Sequence, residues 1–229
     1  MIGVIVTTFN RPKILERSLP QIAALGAPVL VVDDGTHQSE DLLNAKICFQ
    51  AGTRYLWLPE NRGLSAAMNI GISYWLADKS VDWISYFQDD VDVHPRLFQE
   101  LAVATKQMPA ALYTGHDSRY HAAVQSANGF KIKQSCAAVH MHAKREFWQS
   151  IMPIPTFALG APKRLPGRVR GVGSDVDWWI VRDSPHSIQK TGDRIVCLPN
   201  LVRTFLYKAD ESSWGNSQPD GEEPPLRQS

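Results

Sequence analysis

The sequence predicts an α/β protein in which helices flank a mostly parallel central sheet. One observation is the apolar, β-branched run Ile2 to Val6, which is typical of a strand buried on both faces. The other is a pair of acidic clusters, Asp33-Asp34 and Asp89-Asp90-Val91-Asp92, each following an apolar run where a strand should end. Carboxylates at the carboxyl ends of parallel strands are typical of sheets that bind a nucleotide and a divalent cation.

The first 36 residues predict a βαβ unit. A strand begins at Ile2, a second strand covers residues 28–33, and the segment between them, residues 13–25, has apolar residues at roughly helical spacing. A right-handed crossover would place the two strand ends side by side. This arrangement brings together five polar residues at one edge: Thr7, Thr8, Asn10, Asp33 and Asp34. We expect a base and a ribose to bind there.

The second acidic cluster follows a predicted strand at residues 81–88 and precedes a helix that starts near His94-Pro95. The carboxylates of Asp89, Asp90 and Asp92 repel one another unless a cation or hydrogen bonds offset their charge. A solvated turn is the alternative interpretation. Because the preceding strand is strongly apolar, we predict a metal site, and oxygen ligands suit magnesium or manganese bridged to phosphates.

A turn and a helix lie between the two clusters, in residues 58–72. We expect Ser65 to cap the helix, whose first turn would face the same edge of the sheet. Backbone N–H groups at a helix N-terminus bind phosphate, and Arg62 would add a positive charge. An ordinary capped helix, with Asn69 bonded only to backbone groups, is the alternative.

Four motifs resemble those of the family 2 glycosyltransferases with the GT-A fold. They are Thr-Thr-Phe-Asn-Arg-Pro, Val-Val-Asp-Asp-Gly-Thr, Glu-Asn-Arg-Gly-Leu-Ser and Gln-Asp-Asp, and their order and spacing match as well. The similarity covers roughly residues 2–100 and reappears at residues 171–178. The resemblance implies a nucleotide-diphospho-sugar transferase with a smaller acceptor-binding part, which moves a hexose or pentose with inversion, most commonly from a UDP-sugar.

The resemblance also implies roles for the donor-site residues. Thr7 matches a threonine that contacts the base, and Asp33 and Asp34 match the acidic pair that holds base and ribose. Asp90 matches the aspartate that binds Mn²⁺ or Mg²⁺ on the diphosphate, and Asp89 lies nearer the ribose.

Two departures from the family pattern affect the metal. Gln88 replaces the first aspartate of the family's Asp-x-Asp motif, which removes one charge, and Asp92 would compensate for it. A histidine that completes the metal site in many relatives is absent near Arg203. The histidines that remain, His140, His142 and His186, are interpreted as structural or exposed.

Asp175 matches the family's catalytic base, which removes the proton of the acceptor hydroxyl. Ser174 replaces the glutamate usually found beside it, and Asp177 is a weaker candidate. The alternative interpretation is a helix N-terminus that Ser174 caps and that precedes a core segment. Both interpretations are compatible, because a helix N-terminus aims a base rigidly.

The chain divides into a donor half at residues 1–113, an acceptor and catalytic-base half at 114–215, and a flexible tail at 216–229. Residues 162–173 carry four cations just ahead of Asp175, so this loop would attract an anionic acceptor or hold the donor diphosphate. A mobile, solvated loop is the alternative interpretation. An acceptor glycan and DNA with hydroxymethylated bases are both candidates.

Composition agrees with a small enzyme: 229 residues suffice for one α/β domain, and the formal net charge is +1. The sequence has no run of about 18 apolar residues and no signal peptide ahead of the first strand, so we expect a cytoplasmic protein without an integral membrane segment. Cys48, Cys136 and Cys197 are widely spaced and odd in number, which predicts reduced, buried thiols.

Two other functions stay open at this point. A nucleotidyltransferase would use a similar sheet and metal, although the turn after the first strand lacks the glycines usual in such enzymes, and no P-loop motif occurs. A non-catalytic module that binds sugar nucleotides or glycans is the second, because three expected polar groups are replaced or missing. Turnover of the donor would separate a binding module from an enzyme.

Overall fold

A computed structural model describes residues 1–118, 121–127, 129–156 and 176–204. Strands and helices largely alternate to Gln107, and strands predominate thereafter. The strands are β1 (Ile2–Thr8), β2 (Val29–Asp33), β3 (Arg54–Trp57), β4 (Trp83–Gln88), β5 (Val91–Val93), β6 (Leu112–His116), β7 (Ala123–Ala127), β8 (Phe130–Lys133), β9 (His140–Lys144) and β10 (Ile195–Thr204). The helices are α1 (Pro12–Ala23), α2 (Gln38–Gln50), α3 (Leu64–Ala77), α4 (Leu97–Gln107), α5 (Arg145–Ile151), α6 (Val176–Trp178) and α7 (Ile188–Thr191), with a π-helical turn at Trp179–Asp183.

The described strands form one sheet in the order β3-β2-β1-β4-β9-β6-β10-β8-β7, and β5 pairs with β10. The four strands from β3 to β4 are parallel. Strand β9 is antiparallel to both β4 and β6, so β6 and its parallel partner β10 run in the same direction as β4. The carboxyl ends of β1, β2, β4, β6 and β10 therefore lie at one edge. The predicted α/β class with a mostly parallel sheet is confirmed.

Helices cover both faces of the sheet, because successive strand residues point to opposite faces. On one face, Val4 and Val6 belong to a buried cluster with the apolar side chains of α1, α2 and α4. On the other, Ile5 belongs to a cluster with α3, α5 and the π-helical turn. The predicted first helix is confirmed as α1, whose core face is fully buried at Leu15 and Leu19.

Two glycines allow α3 to lie directly on β1. A Cβ atom on Gly71 would be 2.6 Å from the Ile5 side chain, and one on Gly3 would be 2.6 Å from the Trp75 ring. The Trp75 indole N–H also donates to the carbonyl of Val4, at 2.9 Å. This close contact fixes the axis of α3, and with it the position of the helix N-terminus at the carboxyl edge of the sheet.

Two local predictions were wrong, and one strand was not predicted. Gly63, and not Ser65, occupies the N-cap of α3, and Ser65 is buried in the first turn. The sequence also predicts a strand at residues 134–142 that leads into a helix at 143–151. This helix begins at Arg145 instead, because Ala143 pairs with Ile84 in the sheet and pairing outweighs the helix propensity of alanine. Strand β5 was not predicted, although its residues alternate apolar, acidic, apolar.

The boundary proposed at residue 113 falls inside β6, and β9 of the second half lies between β4 and β6. The donor and acceptor halves thus share one sheet, and their division is a functional proposal. The tail proposed at 216–229 lies outside the described residues.

Two predictions from composition concern membrane-spanning helices and the state of the cysteines. No helix within the described ranges is both long enough and apolar enough to cross a bilayer. The three cysteines are free and buried, as predicted. Burial raises the pKa of the Cys48 and Cys197 thiols to about 12, so neither is ionised near neutral pH.

A buried ion pair fastens the outer hairpin, β7 and β8, to the end of β6. The side chain of Lys133 is 1% exposed, and its Nζ lies 2.7 Å from Asp117 Oδ1. Lys133 also donates to the Ser118 carbonyl at 3.2 Å, and Lys131 donates to Asp117 Oδ2. Burial by itself would raise the pKa of Asp117, but the hydrogen bonds and charges of the two lysines hold it below its ordinary value.

Replacing Asp117 by asparagine should lower the free energy of unfolding by about 3–5 kcal/mol, because Lys133 would stay buried without a countercharge. Urea denaturation followed by circular dichroism measures this loss. The control is Asp82→Asn, which breaks a surface ion pair between the N-terminal amino group and a side chain that is 70% exposed. That pair is worth at most about 1 kcal/mol, so equal losses in the two variants would contradict the prediction.

Candidate functional site

The ends of β1, β2 and β4 lie side by side at what we call the carboxyl edge. Thr8 pairs with Asp33 across β1 and β2, and Thr7 pairs with Gln88 across β1 and β4. The turns that follow these strands are neighbours for this reason. The edge of a parallel sheet is where such folds bind ligands.

The turn after β1 is bonded to the turn after β2 through Asn10. Its backbone N–H donates to Thr36 Oγ1 at 2.8 Å, and its side-chain oxygen accepts from the His37 N–H at 3.2 Å. Asn10 has a φ of 54°, a left-handed conformation that asparagine tolerates better than most residues. Asn10 therefore shapes the edge by joining two turns.

Thr7 and Thr8 connect β1 to β4 beneath the edge. The Thr7 hydroxyl lies 2.9 Å from the Tyr86 hydroxyl, and the Thr8 hydroxyl donates to Asp89 Oδ2 at 2.7 Å. Both threonines are buried. The structure places Thr8 beside Asp33, as predicted, and the hydroxyl groups of both threonines lie within hydrogen-bonding distance of other protein side chains.

Asp33 is fully buried and accepts three hydrogen bonds. Its partners are the Thr36 N–H at 3.0 Å, the Asn44 side-chain amide at 2.8 Å and the Tyr55 hydroxyl at 2.7 Å. Burial and the adjacent Asp33 carboxylate raise the pKa of Tyr55, so its hydroxyl stays protonated as a donor. The geometry makes Asp33 a support of the turn after β2.

Asp34 binds the loop that leads into α3. Its two carboxylate oxygens accept from the backbone N–H groups of Arg62 and Gly63, each at 2.8 Å. Burial raises the pKa of Asp34, while these two hydrogen bonds act in the opposite direction. A carboxylate with two backbone donors fixes the conformation of the loop that carries the exposed Arg62 side chain.

Gly35 lets the turn after β2 touch this loop. Its φ is +81°, and a Cβ atom on it would lie 2.3 Å from both the Asn61 nitrogen and the Glu60 carbonyl carbon. The N-terminus of α3 and Arg62 are thereby held at the carboxyl edge. Helix N–H groups and a guanidinium together are suited to binding phosphate.

Asp89 and Asp90, which follow β4, share the guanidinium of Arg11. Its Nη2 donates to Asp89 Oδ1, and its Nη1 lies 3.4 Å from Asp90 Oδ2. Burial raises the pKa of Asp89 to about 6; Arg11 and Thr8 oppose this rise, and repulsion from Asp90 adds to it. Arg11 thus stabilises the ionised form of a carboxylate that burial disfavours.

Asp92 lies in β5 and faces α1 and β10. Arg17 Nη2 donates to its oxygens at 2.9 and 3.2 Å, and Arg203 Nε donates at 3.0 Å. The Gln21 side-chain amide donates at 3.2 Å, and its oxygen accepts from the Val93 N–H at 3.0 Å. These bonds engage both carboxylate oxygens of Asp92.

Three arginines, Arg11, Arg17 and Arg203, form ion pairs with the acidic turn and offset its charge. Within the described ranges, no group of three His, Cys, Asp or Glu side chains is arranged to hold a metal. One atom fits the role: Asp90 Oδ1 is buried and has no hydrogen-bond partner. One carboxylate oxygen can hold Mg²⁺ or Mn²⁺ when phosphates and water supply the other ligands.

The histidines of β9 serve the sheet. His140 Nδ1 accepts from the Gly115 N–H at 2.9 Å, so its proton lies on Nε2, which is 3.2 Å from Ser85 Oγ. His142 stacks on Trp83 with ring centroids 4.7 Å apart. Burial lowers the pKa of both histidines, which are neutral near pH 7. The interpretation of these two residues as structural is confirmed. Asn69 likewise exchanges two hydrogen bonds with the backbone of Ile154.

The predicted base Asp175, its neighbour Ser174 and the basic loop 162–173 lie outside the described residues. The described chain resumes at Val176, in a short helix that leads into the π-helical turn. Ile180 and Val181 are buried in the core, as the core interpretation of this segment predicted.

Sequence reasoning missed Arg11, Arg17 and Arg203 as partners of the acidic turn. Arg11 lies in the first motif, and its position between β1 and α1, which places it at the carboxyl edge, is the signal that could have identified it. Arg17 lies six residues further along the chain in α1, a spacing that does not by itself place the two arginines on one face of a helix. The contact of Arg203 could not be predicted, because it depends on the pairing of β10 with β5, in which Arg203 lies opposite Asp92.

Sequence comparisons agree with the resemblance of the motifs. A sequence model of the family described as Glycosyl transferase family 2 matches residues 3–156. A search of curated proteins finds no match.

Solved structures share the GT-A fold. Glucosyl-3-phosphoglycerate synthase from Mycobacterium tuberculosis, in complex with phosphoglyceric acid, is 15% identical, with a TM-score of 0.57 over 92% of this chain and 74% of that chain. S. aureus TarS is 12% identical, with a TM-score of 0.50 over 66% of this chain and 29% of that chain. TarS 1–349 in complex with UDP-GlcNAc is 12% identical, with a TM-score of 0.50 over 65% of this chain and 46% of that chain. The chain thus spans under half the length of the TarS chains that it matches.

We expect Gly35→Ala to destabilise the protein more than Gly52→Ala. Both glycines have positive φ, but a Cβ on Gly52 meets nothing within 4 Å, whereas one on Gly35 meets backbone atoms at 2.3 Å. The control should cost roughly 1 kcal/mol from backbone conformation alone. Thermal unfolding measures the difference between the variants. Equal costs would show that the contact between the two turns is loose.

Proposed function

Because the chain belongs to glycosyl transferase family 2, we propose that it transfers a sugar from a UDP-sugar to an acceptor hydroxyl with inversion at the anomeric carbon. The observation that carries the proposal is the convergence at the carboxyl edge of two elements whose chemistry suits a nucleotide diphosphate. One is the loop bonded to Asp34, with Arg62 and the start of α3. The other is the turn of Asp89 and Asp90. Family membership decides against the nucleotidyltransferase alternative.

In this proposal the turns after β1 and β2 form the base and ribose site. Thr7, Thr8, Asn10 and Asp33 are bonded to other protein groups, so they act by shaping these turns. Base and ribose are recognised by the polar groups that the turns present. The motif resemblance supports this placement of the donor.

The diphosphate lies against the N-terminus of α3, where backbone N–H groups and the exposed Arg62 offset its charge. Asp89 faces the ribose side and Asp90 the diphosphate side of the acidic turn. Asp90 Oδ1 would hold a divalent cation, whose positive charge would stabilise the leaving nucleoside diphosphate. Asp92, bonded to two arginines, holds β5 and β10 in place instead of binding the cation.

The transfer step needs a base for the acceptor hydroxyl, whose pKa lies far above neutrality. Asp175 takes the proton while the acceptor oxygen forms a bond to the anomeric carbon. The bond from that carbon to the phosphate oxygen breaks, and its electron pair leaves with the nucleoside diphosphate. Attack from the face opposite the leaving group inverts the configuration.

The acceptor is a glycan or a hydroxymethylated DNA base in this proposal, and the reaction takes place in the cytoplasm. The four cations of residues 162–173 support an anionic acceptor, since they precede the proposed base in the chain. The solved complexes named above contain UDP-GlcNAc or phosphoglyceric acid. A nucleotide sugar and an anionic acceptor are both compatible with the site proposed at the carboxyl edge.

A thermal-shift panel of UDP, GDP, CMP and dTDP, each with and without Mn²⁺, tests the donor site. UDP should raise the melting temperature most, and more with Mn²⁺, because a ligand that binds only the folded state stabilises it. Asp90→Asn should remove the Mn²⁺-dependent part and keep the part due to UDP alone. Asp193→Asn, which neutralises an exposed carboxylate, is the control. Absence of a shift with every nucleotide would contradict the proposed donor site.

Asp175→Asn should preserve donor binding and lower kcat roughly 10²–10⁴-fold, the range for loss of a general base. Release of UDP from a UDP-sugar in the presence of an acceptor measures kcat, and isothermal titration with UDP measures donor binding. Full activity in this variant would refute the assignment of the base. Loss of both activity and UDP binding would indicate a structural role.

A further inference from the structure

Arg11 places a cation against the carboxylates proposed to bind the metal. Its side chain is 12% exposed, and the Asp89 side chain that it contacts is fully buried. The same guanidinium reaches Asp90, whose side chain is 7% exposed. A positive charge belonging to the protein thus lies where the proposed cation has to bind.

The two carboxylates hold Arg11 unequally. Both oxygens of Asp89 are engaged, one by Arg11 and one by the Thr8 hydroxyl at 2.7 Å. Asp90 contributes one oxygen at 3.4 Å, beyond the 2.7–2.9 Å usual for charge-assisted hydrogen bonds, and its Oδ1 has no partner. The contact with Asp90 is therefore the weaker of the two.

The backbone around Arg11 is fixed. Its carbonyl accepts from the Ile14 and Leu15 N–H groups at 3.1 and 3.0 Å in the first turn of α1, and Asn10 before it is bonded to the turn after β2. Arg17 and Gln21 further along α1 bind Asp92. Arg11 and Arg17 thus join α1 to the acidic turn at two points. The helix and the turn therefore hold their relative position, and the Arg11 guanidinium stays close to Asp90.

We propose that Arg11 competes with a divalent cation for Asp90. The cation would bind Oδ1 of Asp90, while Nη1 of Arg11 lies 3.4 Å from Oδ2 of the same carboxylate, so the two positive charges share one carboxylate. Two cations close together repel, so affinity for the metal is low until the donor diphosphate adds negative charge and oxygen ligands. Arg11 thereby couples metal binding to donor binding. This inference rests on the metal site of the proposed function.

The test measures Mn²⁺ binding to the whole protein without nucleotide, from the electron paramagnetic resonance signal of free Mn²⁺. Arg11→Met should bind Mn²⁺ at least about tenfold more tightly than the unmodified protein, since a neighbouring positive charge is gone. Asp90→Asn in the Arg11→Met background should abolish the gain. Addition of UDP should strengthen Mn²⁺ binding much more in the unmodified protein than in Arg11→Met.

Arg17→Met is the matched control, because it removes an arginine of the same helix whose guanidinium binds Asp92. Its effect on Mn²⁺ affinity should stay below about threefold, as expected for a more distant charge. Circular dichroism verifies that each variant is folded. If Arg11→Met does not fold, Arg11→Lys replaces it, since a lysine keeps the charge but loses the fork between two carboxylates.

Lysine should give an affinity between those of the unmodified protein and the methionine variant. Unchanged or weaker Mn²⁺ binding in the folded Arg11 variant would overturn the proposal, as would an equal gain in Arg17→Met. Absence of Mn²⁺ binding in every variant would overturn it too. In that case, UDP-sugar turnover in the presence of EDTA would show that glycosyl transfer stands without the metal, whereas loss of UDP binding would indicate failure of the donor site itself.

Discussion

The arrangement of the carboxyl edge depends on ion pairs between α1 and the acidic turn after β4. Arg11 binds Asp89 and Asp90, and Arg17 binds Asp92, so one helix determines where three carboxylates lie. Without these arginines, the like charges would repel at the end of a buried strand. Arg203 extends the same network to β10. The acidic turn is thus bound to elements distant in the chain from β4.

The edge is also held from the other side by polar groups that support the loops. Asp33 and Asp34 use their oxygens for hydrogen bonds within the protein, and Gly35 permits contact between two turns. The close packing of α3 on β1 sets the helix N-terminus at the same edge. Groups that resemble ligand contacts in the sequence are in large part the scaffold that positions the ligand-facing backbone.

Alternation of apolar runs was sufficient to predict the first strands, the helix between them and the shared edge, because buried parallel strands have a strong sequence signal. The partners of Asp92 were not predictable in this way. Its contact with Arg203 depends on the pairing of β5 with β10, which are separated by about half the chain. The sequence interpretation favoured a bound cation as the group that offsets the repulsion at this turn, and it did not identify the arginines of α1 and β10 that pair with Asp92.

Strand β9 lies between β4 and β6, although it follows both in the chain. A fragment that stopped at residue 113 would lack β9, and β4 would then present a row of backbone groups without partners along its whole length. Such an open strand edge pairs readily with other chains. Residues 1–113 alone would therefore be prone to associate through this edge, and in translation the sheet stays open until the ribosome has delivered the segment that closes it.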